Sequence, residues 1–372
     1  MRSLVCAVSR LLNKIWQKSY LLNDKDRGST FPLERSKAMT MPTSLCPNRM
    51  QIHSIVQETS DVWTINLINH DFYSYSPGQY ALVSIKNSDE VMRAYTLSSS
   101  PGQSRFISIT VRRLEDGTGS SWLTQEVKPG DYLWLSEAQG EFTCANVKSS
   151  QYLMLAAGCG VTPIMSMTRW LMANRPETHV KVLFNVRDDK QVIFAEEWQQ
   201  LAQRYPQRLQ LCIMAETPDN GGVAQGRLSK EKLQELVPDV ASRVVMTCGP
   251  IPYMKNVQQF ATELGVPSDH FFMERFSVGG DEAVSEDVLT LKIRHRLVNF
   301  SVPVGTSLLS ALEQNKQPVI AACRAGVCGS CKTKVLSGNY TTSSTMTLTA
   351  EEIASGYVLA CSCQLQGDTE IA

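Results

Sequence analysis

The sequence predicts a multidomain protein built from a small antiparallel β-barrel, an α/β domain with a parallel sheet, and an α+β domain. Three observations predict it. Short strand patterns separated by turn residues extend to about residue 148, strand and helix patterns alternate over residues 150–276, and a strand–strand–helix pattern follows residue 288. The length of 372 residues is compatible with two or three domains.

The composition is that of an ordinary globular protein, with 43% hydrophobic and 19% charged residues. Lys plus Arg and Asp plus Glu number 36 each, so no global field favours nucleic acid or an anionic membrane. The longest nearly apolar run, residues 152–165, contains two glycines and a proline. It is shorter than the ~20 residues that a spanning helix needs. We therefore expect a cytoplasmic protein that binds neither nucleic acid nor a membrane.

Residues 1–49 are expected to be an extension outside the folded core. The first 38 residues carry eight Lys/Arg and three Asp/Glu and show no clear strand pattern. Arg10 interrupts the apolar stretch too early for a secretory signal, and the acidic residues argue against a transit peptide. We interpret the segment as dispensable, reflecting a start codon assigned upstream of Met39 or Met41.

Residues 50–148 are predicted to form the barrel. The strand patterns QIHSIV, VWTINLI, YALVSI, RFISITVRR and DYLWLSE are separated by turn sequences such as SPGQ, EDGTG and KPGD. Several short strands joined by hairpin turns favour a small antiparallel barrel. RAYT places Arg93 and Tyr95 on one face of a strand. They could clamp a phosphate and lie against a planar heterocycle, although an exposed strand face explains the pattern equally well.

Residues 150–276 are predicted to form the α/β domain, because the apolar strands YLMLAA, VKVLFNV, LQLCIMA and RVVMTCG alternate with helical patterns. The first strand leads into a helix through GCGVTP, whose glycines let backbone N–H groups approach an anion. Thr162 is expected to cap that helix and Pro163 to be its first residue. The proline, and the lack of an acidic residue about twenty positions on, depart from the standard dinucleotide fingerprint. A tight structural turn therefore remains an alternative.

Residues 277–287 are a Gly- and acid-rich linker, and residues 288–372 are predicted to form the third domain. LTLKI and VNFSVPV are strand patterns, and TSLLSALEQ predicts a capped helix that packs Leu308, Leu309 and Leu312 into a core.

The run CRAGVCGSC spaces Cys323, Cys328 and Cys331 as C-x4-C-x2-C. Neighbouring thiols this close do not bridge comfortably, and a cytosol keeps them reduced. Structural zinc normally uses C-x2-C pairs, whereas plant-type [2Fe–2S] ferredoxins have this spacing with a fourth ligand far downstream. Cys361 is the predicted fourth ligand and Cys363 the alternative. Zinc, or thiols without a ligand, remain alternatives for the run as a whole.

Four motifs resemble signatures of the ferredoxin–NADP reductase superfamily and occur in the same order as in that family. RAYT resembles its R-x-Y-[ST] signature, GTGSSWL resembles its G-x-x-S turn, GCGVTP resembles its nucleotide loop, and TCGP resembles its C-G-P motif. The ferredoxin-type cysteine run follows them. The resemblance covers residue 50 to the carboxyl terminus. It implies an FAD-binding barrel, an NAD(P)-binding domain and a β-grasp [2Fe–2S] ferredoxin-like domain. Within the superfamily the chain is most similar to NADH-dependent reductases of hybrid-cluster protein, which implies that protein as the acceptor.

The resemblance implies a flavin site made of Arg93 at the phosphates, Tyr95 at the isoalloxazine ring, Thr96 near its reactive N5, and Gly117 and Ser120 at the pyrophosphate. The last two favour FAD, although FMN occurs in the superfamily.

The resemblance also implies a pyridine-nucleotide site. The residues that would cradle its pyrophosphate are Gly158, Gly160, Thr162 and Pro163. Cys248 and Gly249 would flank the nicotinamide, with Thr96 and Cys248 as the catalytic pair. Alternatively, Cys248 is a small buried residue that closes a strand. Glu274 and Phe276 end the domain and give only a weak indication of a role at the flavin.

These parts imply an NADH:acceptor oxidoreductase. A nicotinamide gives up two electrons together and the cluster accepts one at a time, so the flavin must lie between them. NADH is favoured over NADPH because Asp188 and Asp189 would repel a 2′-phosphate that Arg187 could otherwise meet. The reductase component of a multicomponent oxygenase shares every motif and is the alternative. A non-enzymatic redox-sensing protein is a more remote alternative.

Overall fold

A computed structural model describes residues 41–69, 71–115, 117–217, 224–276 and 287–372. Residues 1–40 of the predicted extension and residues 277–286 of the predicted linker lie outside this part of the chain. The described residues form three sheets, as the sequence predicts. None of their helices is both long enough and apolar enough to cross a membrane.

The first sheet is antiparallel and has six strands in the order β4-β3-β6-β1-β2-β5. The strands are β1 (Asn48–Thr59), β2 (Val62–Asn69), β3 (Tyr80–Ser84), β4 (Met92–Thr96), β5 (Ile107–Arg112) and β6 (Tyr132–Leu135). A short helix, α1 (Thr118–Ser121), follows β5. An isolated bridge between Leu97 and Ile109 joins the two edges, which closes the sheet into the predicted barrel.

The second sheet is parallel, with the strand order β10-β9-β8-β7-β11-β12. Its strands are β7 (Gln151–Ala157), β8 (His179–Val186), β9 (Leu209–Ala215), β10 (Ala224–Gln225), β11 (Val244–Cys248) and β12 (Phe271–Glu274). The helices are α2 (Val161–Asn174), α3 (Ala195–Arg204), α4 (Lys230–Leu236) and α5 (Ile251–Glu263).

Both faces of the parallel sheet are covered, which explains why its strands read as continuous apolar runs. Tyr152 and Met154 of β7 pack on one core, and Leu153 and Leu155 pack on the other. The chain order places β8 on one side of β7 and β11 on the other, so the strand order reverses at β7. Ligands of such sheets bind in the crevice at the carboxyl end of this reversal.

The third sheet is mixed, with the order β14-β13-β17-β15-β16. Its strands are β13 (Val288–Ile293), β14 (Val298–Pro303), β15 (Lys332–Thr342), β16 (Tyr357–Leu359) and β17 (Cys363–Ile371), and its helices are α6 (Leu308–Gln314) and α7 (Ala350–Ala354). The predicted capped helix is confirmed, because the Ser307 hydroxyl accepts a hydrogen bond from the Ser310 N–H at 3.1 Å.

The loop between α6 and β15 carries three cysteines and packs against the barrel. Ala322, Cys323 and Val327 form an apolar cluster with Leu82 of β3 and Met92 of β4. This contact brings the cysteine loop beside the strand that contains RAYT.

Candidate functional site

A cavity of about 440 Å³ opens at the carboxyl ends of β7, β8 and β9, at the predicted crevice of the parallel sheet. Gly158 lines it with φ 53°, a conformation that glycine adopts without strain. Asn185 and Tyr253 also line it, and the Asn185 Nδ2 donates to the Tyr253 hydroxyl at 2.9 Å. The cavity therefore joins a glycine turn to the carboxyl edge of a parallel sheet, an arrangement that suits a nucleotide.

The second glycine of the loop has a packing role. A Cβ on Gly160 would lie 2.1 Å from the carbonyl oxygen of Cys248, so only glycine allows this approach of the loop to β11. Thr162 and Pro163 are buried within α2. The predictions that Thr162 caps α2 and that Pro163 is its first residue are wrong, because the helix begins at Val161 and the Thr162 hydroxyl donates to the Cys159 carbonyl at 3.0 Å.

Cys248 ends β11 and its side chain is fully buried in the core of the parallel sheet. Burial raises its pKa well above that of an ordinary thiol, so the group stays protonated at neutral pH. Gly249 follows and packs on the Tyr253 ring, where a Cβ would lie 2.9 Å from Cδ1. The structure therefore places Cys248 beside the nucleotide loop as a neutral thiol.

The charges at the nucleotide cavity differ from those inferred from sequence. Arg187 lines the cavity, but the carboxylate of Asp188 instead accepts a hydrogen bond from a backbone N–H two residues on. The acidic side chain that lines the cavity is Glu216, which follows β9 and pairs with Arg227 at 2.9 Å. Sequence reasoning missed Glu216. Its position in the sequence could have indicated it, because Glu216 directly follows a buried parallel strand. The carboxyl end of that strand, β9, lies at the same edge of the sheet as the carboxyl ends of β7 and β8.

A second cavity, of about 620 Å³, is lined by all three domains. Tyr80 and Thr96 come from the barrel, Glu274 ends β12, and Val327 and Met346 come from the third domain. The Thr96 Oγ1 is buried and has no hydrogen-bond partner in the described part of the protein. Buried polar atoms are normally paired, so this atom fits a site that receives a polar ligand atom.

Glu274 is the acidic group of this three-domain cavity. Its Oε2 is buried without a hydrogen-bond partner among the described residues, although other atoms of the side chain face the cavity. Burial raises the pKa of Glu274 to about 8, so the carboxyl is protonated at neutral pH and can donate a hydrogen bond. Only a weak indication in the sequence pointed to Glu274, and nothing near Tyr80 in the chain distinguished Tyr80 from other barrel residues.

The predicted flavin residues of β4 lie on its two faces. Ala94 and Thr96 line the three-domain cavity, whereas Arg93 and Tyr95 point to the other side of the strand. Tyr95 packs against the barrel core, and burial raises its pKa. The Arg93 Nη1 donates to the carbonyl oxygen of Ala322 at 3.0 Å. Arg93 thus connects the barrel to the cysteine loop.

The predicted pyrophosphate turn lies next to Arg93. A Cβ on Gly119 would lie 3.0 Å from the Arg93 Cγ. The Ser120 hydroxyl accepts from the Leu114 N–H at 3.0 Å and donates to the Gly117 carbonyl at 3.1 Å. Ser120 therefore shapes the turn with its side chain, and the backbone N–H groups of the turn remain the suitable anion donors.

The four predicted cluster cysteines form two pairs. The thiols of Cys323 and Cys328 interact electrostatically with each other, and the Sγ atoms of Cys331 and Cys361 are 3.4 Å apart. Among the described residues, no three His, Cys, Asp or Glu side chains surround a single ion position. Two separate thiol pairs suit a binuclear [2Fe–2S] cluster, in which each iron takes two thiolates, better than a mononuclear zinc site.

Hydrogen-bond donors surround these sulfur atoms. The Gly326 N–H donates to Cys361 Sγ at 3.2 Å, and the Ala325 N–H to Cys323 Sγ at 3.4 Å. The coupling within each pair lowers the pKa of Cys328 and of Cys331 and raises the pKa of Cys323 and of Cys361. The backbone donors to the sulfur atoms, and the lowered pKa of one thiol in each pair, favour the thiolate form that iron requires.

The alternative ligand, Cys363, begins β17 and packs in the core of the third domain. In the described part of the chain no hydrogen bond joins it to either thiol pair, whereas the Cys361 Sγ lies 3.4 Å from the Cys331 Sγ. Cys46, Cys144, Cys159 and Cys212 are free thiols outside the two pairs. Cys361 is therefore the fourth thiol that the geometry favours.

Family models match three successive parts of the chain. They are an oxidoreductase FAD-binding domain over residues 50–144, an oxidoreductase NAD-binding domain over 154–259, and a 2Fe-2S iron-sulfur cluster binding domain over 291–366. The expected cofactors, FAD and a [2Fe–2S] cluster, are thereby confirmed. These are oxidoreductase domains, which agrees with the predicted enzyme.

Characterised relatives match most of the chain. It is 58% identical over 334 residues to "NADH oxidoreductase HCR" of Escherichia coli (strain K12), covering 90% of this chain and 100% of the relative. It is 30% identical over 332 residues to a glycine betaine monooxygenase reductase subunit of Chromohalobacter salexigens, covering 82% and 90% of the two chains. Among solved structures, phthalate dioxygenase reductase superimposes with a TM-score of 0.59 at 22% identity, covering 87% of this chain and 97% of that one. That structure supports the fold.

Proposed function

Because the chain belongs to the ferredoxin–NADP reductase superfamily and carries a carboxy-terminal plant-type [2Fe–2S] domain, we propose that it passes electrons from NADH through FAD and the cluster to hybrid-cluster protein. Its similarity to the NADH oxidoreductase of Escherichia coli supports NADH as the donor. The acceptor follows from the same resemblance.

The observation that carries the proposal is the three-domain cavity. One space of about 620 Å³ is bounded by Thr96 of the barrel, Glu274 of the α/β domain and Val327 of the cysteine loop. Flavin bound there accepts a hydride as an electron pair and releases electrons singly. A planar ring in this space would contact the end of β12, at Glu274, on one side and the cysteine loop, at Val327, on the other.

The chain's own residues would position the reacting groups. We assign the buried Thr96 hydroxyl to the ring nitrogen that receives the hydride, because it lacks any other described partner. Arg93 and the turn at Gly117–Ser120 would hold the phosphates, since they are adjacent and supply a guanidinium and backbone N–H groups. Gly158 and the neutral Cys248 would bound the nicotinamide nucleotide, and the buried thiol helps to exclude water.

We assign the discrimination between NADH and NADPH to Glu216. Its carboxylate lines the nucleotide cavity, where it can accept hydrogen bonds from ribose hydroxyls and would repel a 2′-phosphate. Arg187 and Arg227 line the same cavity, but Arg227 is already paired with Glu216. The preference for NADH therefore rests on a carboxylate after β9 rather than on Asp188.

We expect the acceptor to approach the outer side of the cluster loop. Ser330 and Cys331 line a surface depression of about 290 Å³ together with Arg296 and Ile320, all from the third domain. Ile320 is 69% exposed, and the adjacent Leu297 is 90% exposed. Within the described chain, Arg296 bonds Gln317 and His295 but no carboxylate. Such a surface suits an acceptor with acidic side chains around an apolar centre, through the small transient contact typical of electron transfer.

A reductase for a multicomponent oxygenase is the second candidate, favoured by the 30% identity to a glycine betaine monooxygenase reductase subunit. The two candidates share the donor, the flavin and the cluster and differ in the acceptor alone.

A visible spectrum before and after anaerobic addition of NADH tests the first half of the proposal, and flavin and iron–sulfur absorption are expected to bleach. Purified hybrid-cluster protein and an oxygenase component then compete for the electrons. The double variant C323S/C331S should retain bleaching of the flavin and lose delivery to the protein acceptor. Unchanged delivery by that variant would overturn the cluster relay, and preferential reduction of the oxygenase component would favour the second candidate.

A further inference from the structure

We propose that Ser330 is a positioning residue whose hydroxyl donates a hydrogen bond to the Cys328 thiolate and raises the reduction potential of the cluster. The inference deepens the proposed function, because it rests on the cluster acting as the electron relay. It concerns a side chain between two ligands that the spacing of the cysteines does not single out.

The direction of the hydrogen bond follows from the partners of Ser330. Its Oγ is 3.1 Å from Cys328 Sγ and accepts a hydrogen bond from the Ala322 N–H at 2.9 Å. A hydroxyl that accepts from a backbone N–H still has its own proton to donate. A cysteine that ligates iron is a thiolate and has no proton, so Ser330 must be the donor to the sulfur.

The other peptide group of Ala322 links the cysteine loop to the barrel. The Ala322 carbonyl accepts from the Met92 N–H at 3.1 Å and from the Arg93 Nη1 at 3.0 Å. The Ala322 carbonyl and the Ala322 N–H belong to the two peptide groups on either side of its Cα, so the barrel fixes one of them and Ser330 bonds the other. Contacts from Arg93 through Ala322 to Ser330 therefore lead from β4 to Cys328.

Arg93 can bind an anion and the cysteine loop at the same time. Its hydrogen bonds to the described residues Met92 and Ala322 both use Nη1. Nε and Nη2 thus remain for an anion, and a guanidinium can serve two partners through separate donors. Binding of the flavin phosphates by Arg93 would therefore also hold the loop that positions Ser330.

The surroundings of Cys328 support an effect of this hydrogen bond. The half-buried Cys328 packs against the apolar cluster that Cys323 and Val327 form with Leu82 and Met92, and electrostatic interactions are stronger beside such a cluster than in water. Reduction adds negative charge to the iron and its thiolates. A donor on a thiolate stabilises that added charge, so it raises the reduction potential of the cluster.

The chain offers a matched control in Thr333. Its hydroxyl is also close to the cluster loop, but it donates to the Cys331 carbonyl oxygen at 3.1 Å and not to a sulfur. T333V removes a hydroxyl of similar position without removing a bond to the cluster. S330T keeps the hydroxyl of Ser330, whereas S330A and S330G remove it.

The test is a potentiometric titration of the full-length holoprotein, followed by the electron paramagnetic resonance of the reduced cluster. S330A and S330G are expected to lower the ratio of reduced to oxidised cluster about tenfold at the wild-type midpoint, which corresponds to about 59 mV for a one-electron couple. S330T should restore most of the shift, and T333V should titrate as the wild type does.

Two results would overturn the inference. One is a midpoint in S330A and S330G equal to that of T333V. The other is failure of both variants to assemble a cluster while S330T assembles one, which would give Ser330 a structural role only. The titration needs no protein acceptor, so failure of the wild type to reduce hybrid-cluster protein would count against the proposed function and leave this test intact.

Discussion

The protonation of Glu274 gives a prediction with a defined sign and size. Burial raises the pKa of this carboxyl from 4.5 to about 8. The unfolded chain loses the proton above about pH 4.5, whereas the folded protein keeps it until about pH 8. The stability associated with this group is therefore complete below the unfolded pKa and falls as pH rises through the folded one.

The expected magnitude follows from that pKa difference. Each unit is worth about 1.4 kcal/mol, so wild-type stability should fall by about 5 kcal/mol in total and by about 3 kcal/mol between pH 5.5 and 8, relative to a variant without the carboxyl. E274Q keeps the size and a neutral donor but does not titrate. Its first thermal transition should therefore exceed that of the wild type by an amount that grows by roughly 5 °C over this range.

The assay is thermal unfolding of both holoproteins at several pH values from 5.5 to 9, with flavin fluorescence reporting the loss of cofactor. Difference infrared spectra between wild type and E274Q at neutral pH provide a direct check, because a protonated carboxyl has its own carbonyl stretch. A stability difference that stays constant with pH, or a carboxylate band alone at pH 7, would refute the reasoning. A suitable control is E141Q, since Glu141 lines the same cavity but is exposed.

Three further outcomes are expected. Cys331→Ser should abolish the cluster absorbance and lower the iron content, whereas Cys363→Ser should retain both, since Cys331 pairs with Cys361 at 3.4 Å and no hydrogen bond joins Cys363 to either pair in the described part of the chain. Gly160→Ala places a Cβ 2.1 Å from a backbone carbonyl oxygen of β11, so thermal unfolding should show a loss of roughly 1–3 kcal/mol and NADH titration a weaker affinity. Glu216→Ser should shift the ratio of kcat/KM for NADPH over NADH upward by about tenfold or more through removal of a like charge, while Asp188→Asn leaves it near the wild-type value.

The fold was predictable because its signals are local. Each of the five predicted barrel strands overlaps a strand of the structure, and the apolar runs of the α/β domain form the parallel strands β7, β8, β9 and β11. The cysteine spacing likewise fixes which thiols can reach one cluster within a single loop. These features depend on alternation, on turn residues and on distances of a few residues along the chain, all of which can be counted in the sequence.

The contents of the cavities were less predictable because they depend on contacts between distant segments. Tyr80 and Glu274 line one cavity, although nearly two hundred positions separate them in the chain. Glu216 faces the nucleotide cavity only because β9 lies beside β8 in the sheet. The sequence-based prediction named Asp188 and Asp189, which closely follow β8 in the chain, and the Asp188 carboxylate also accepts a hydrogen bond from the backbone N–H two residues on, as Asp side chains readily do.

The path from Arg93 to Cys328 has a consequence for the order in which the protein acquires its cofactors. Arg93 holds the Ala322 carbonyl whether or not an anion occupies its remaining donors, so the cysteine loop is already tied to the barrel before a flavin binds. The two thiol pairs and the donors around them belong to the loop and to the segment around Cys361, and of these residues Ala325 also lines the three-domain cavity, with a backbone donor that the loop itself holds. Cluster assembly should therefore not require FAD. Protein stripped of flavin is expected to keep its iron and its cluster absorbance, and loss of iron in step with flavin would show that the loop depends on the cofactor after all.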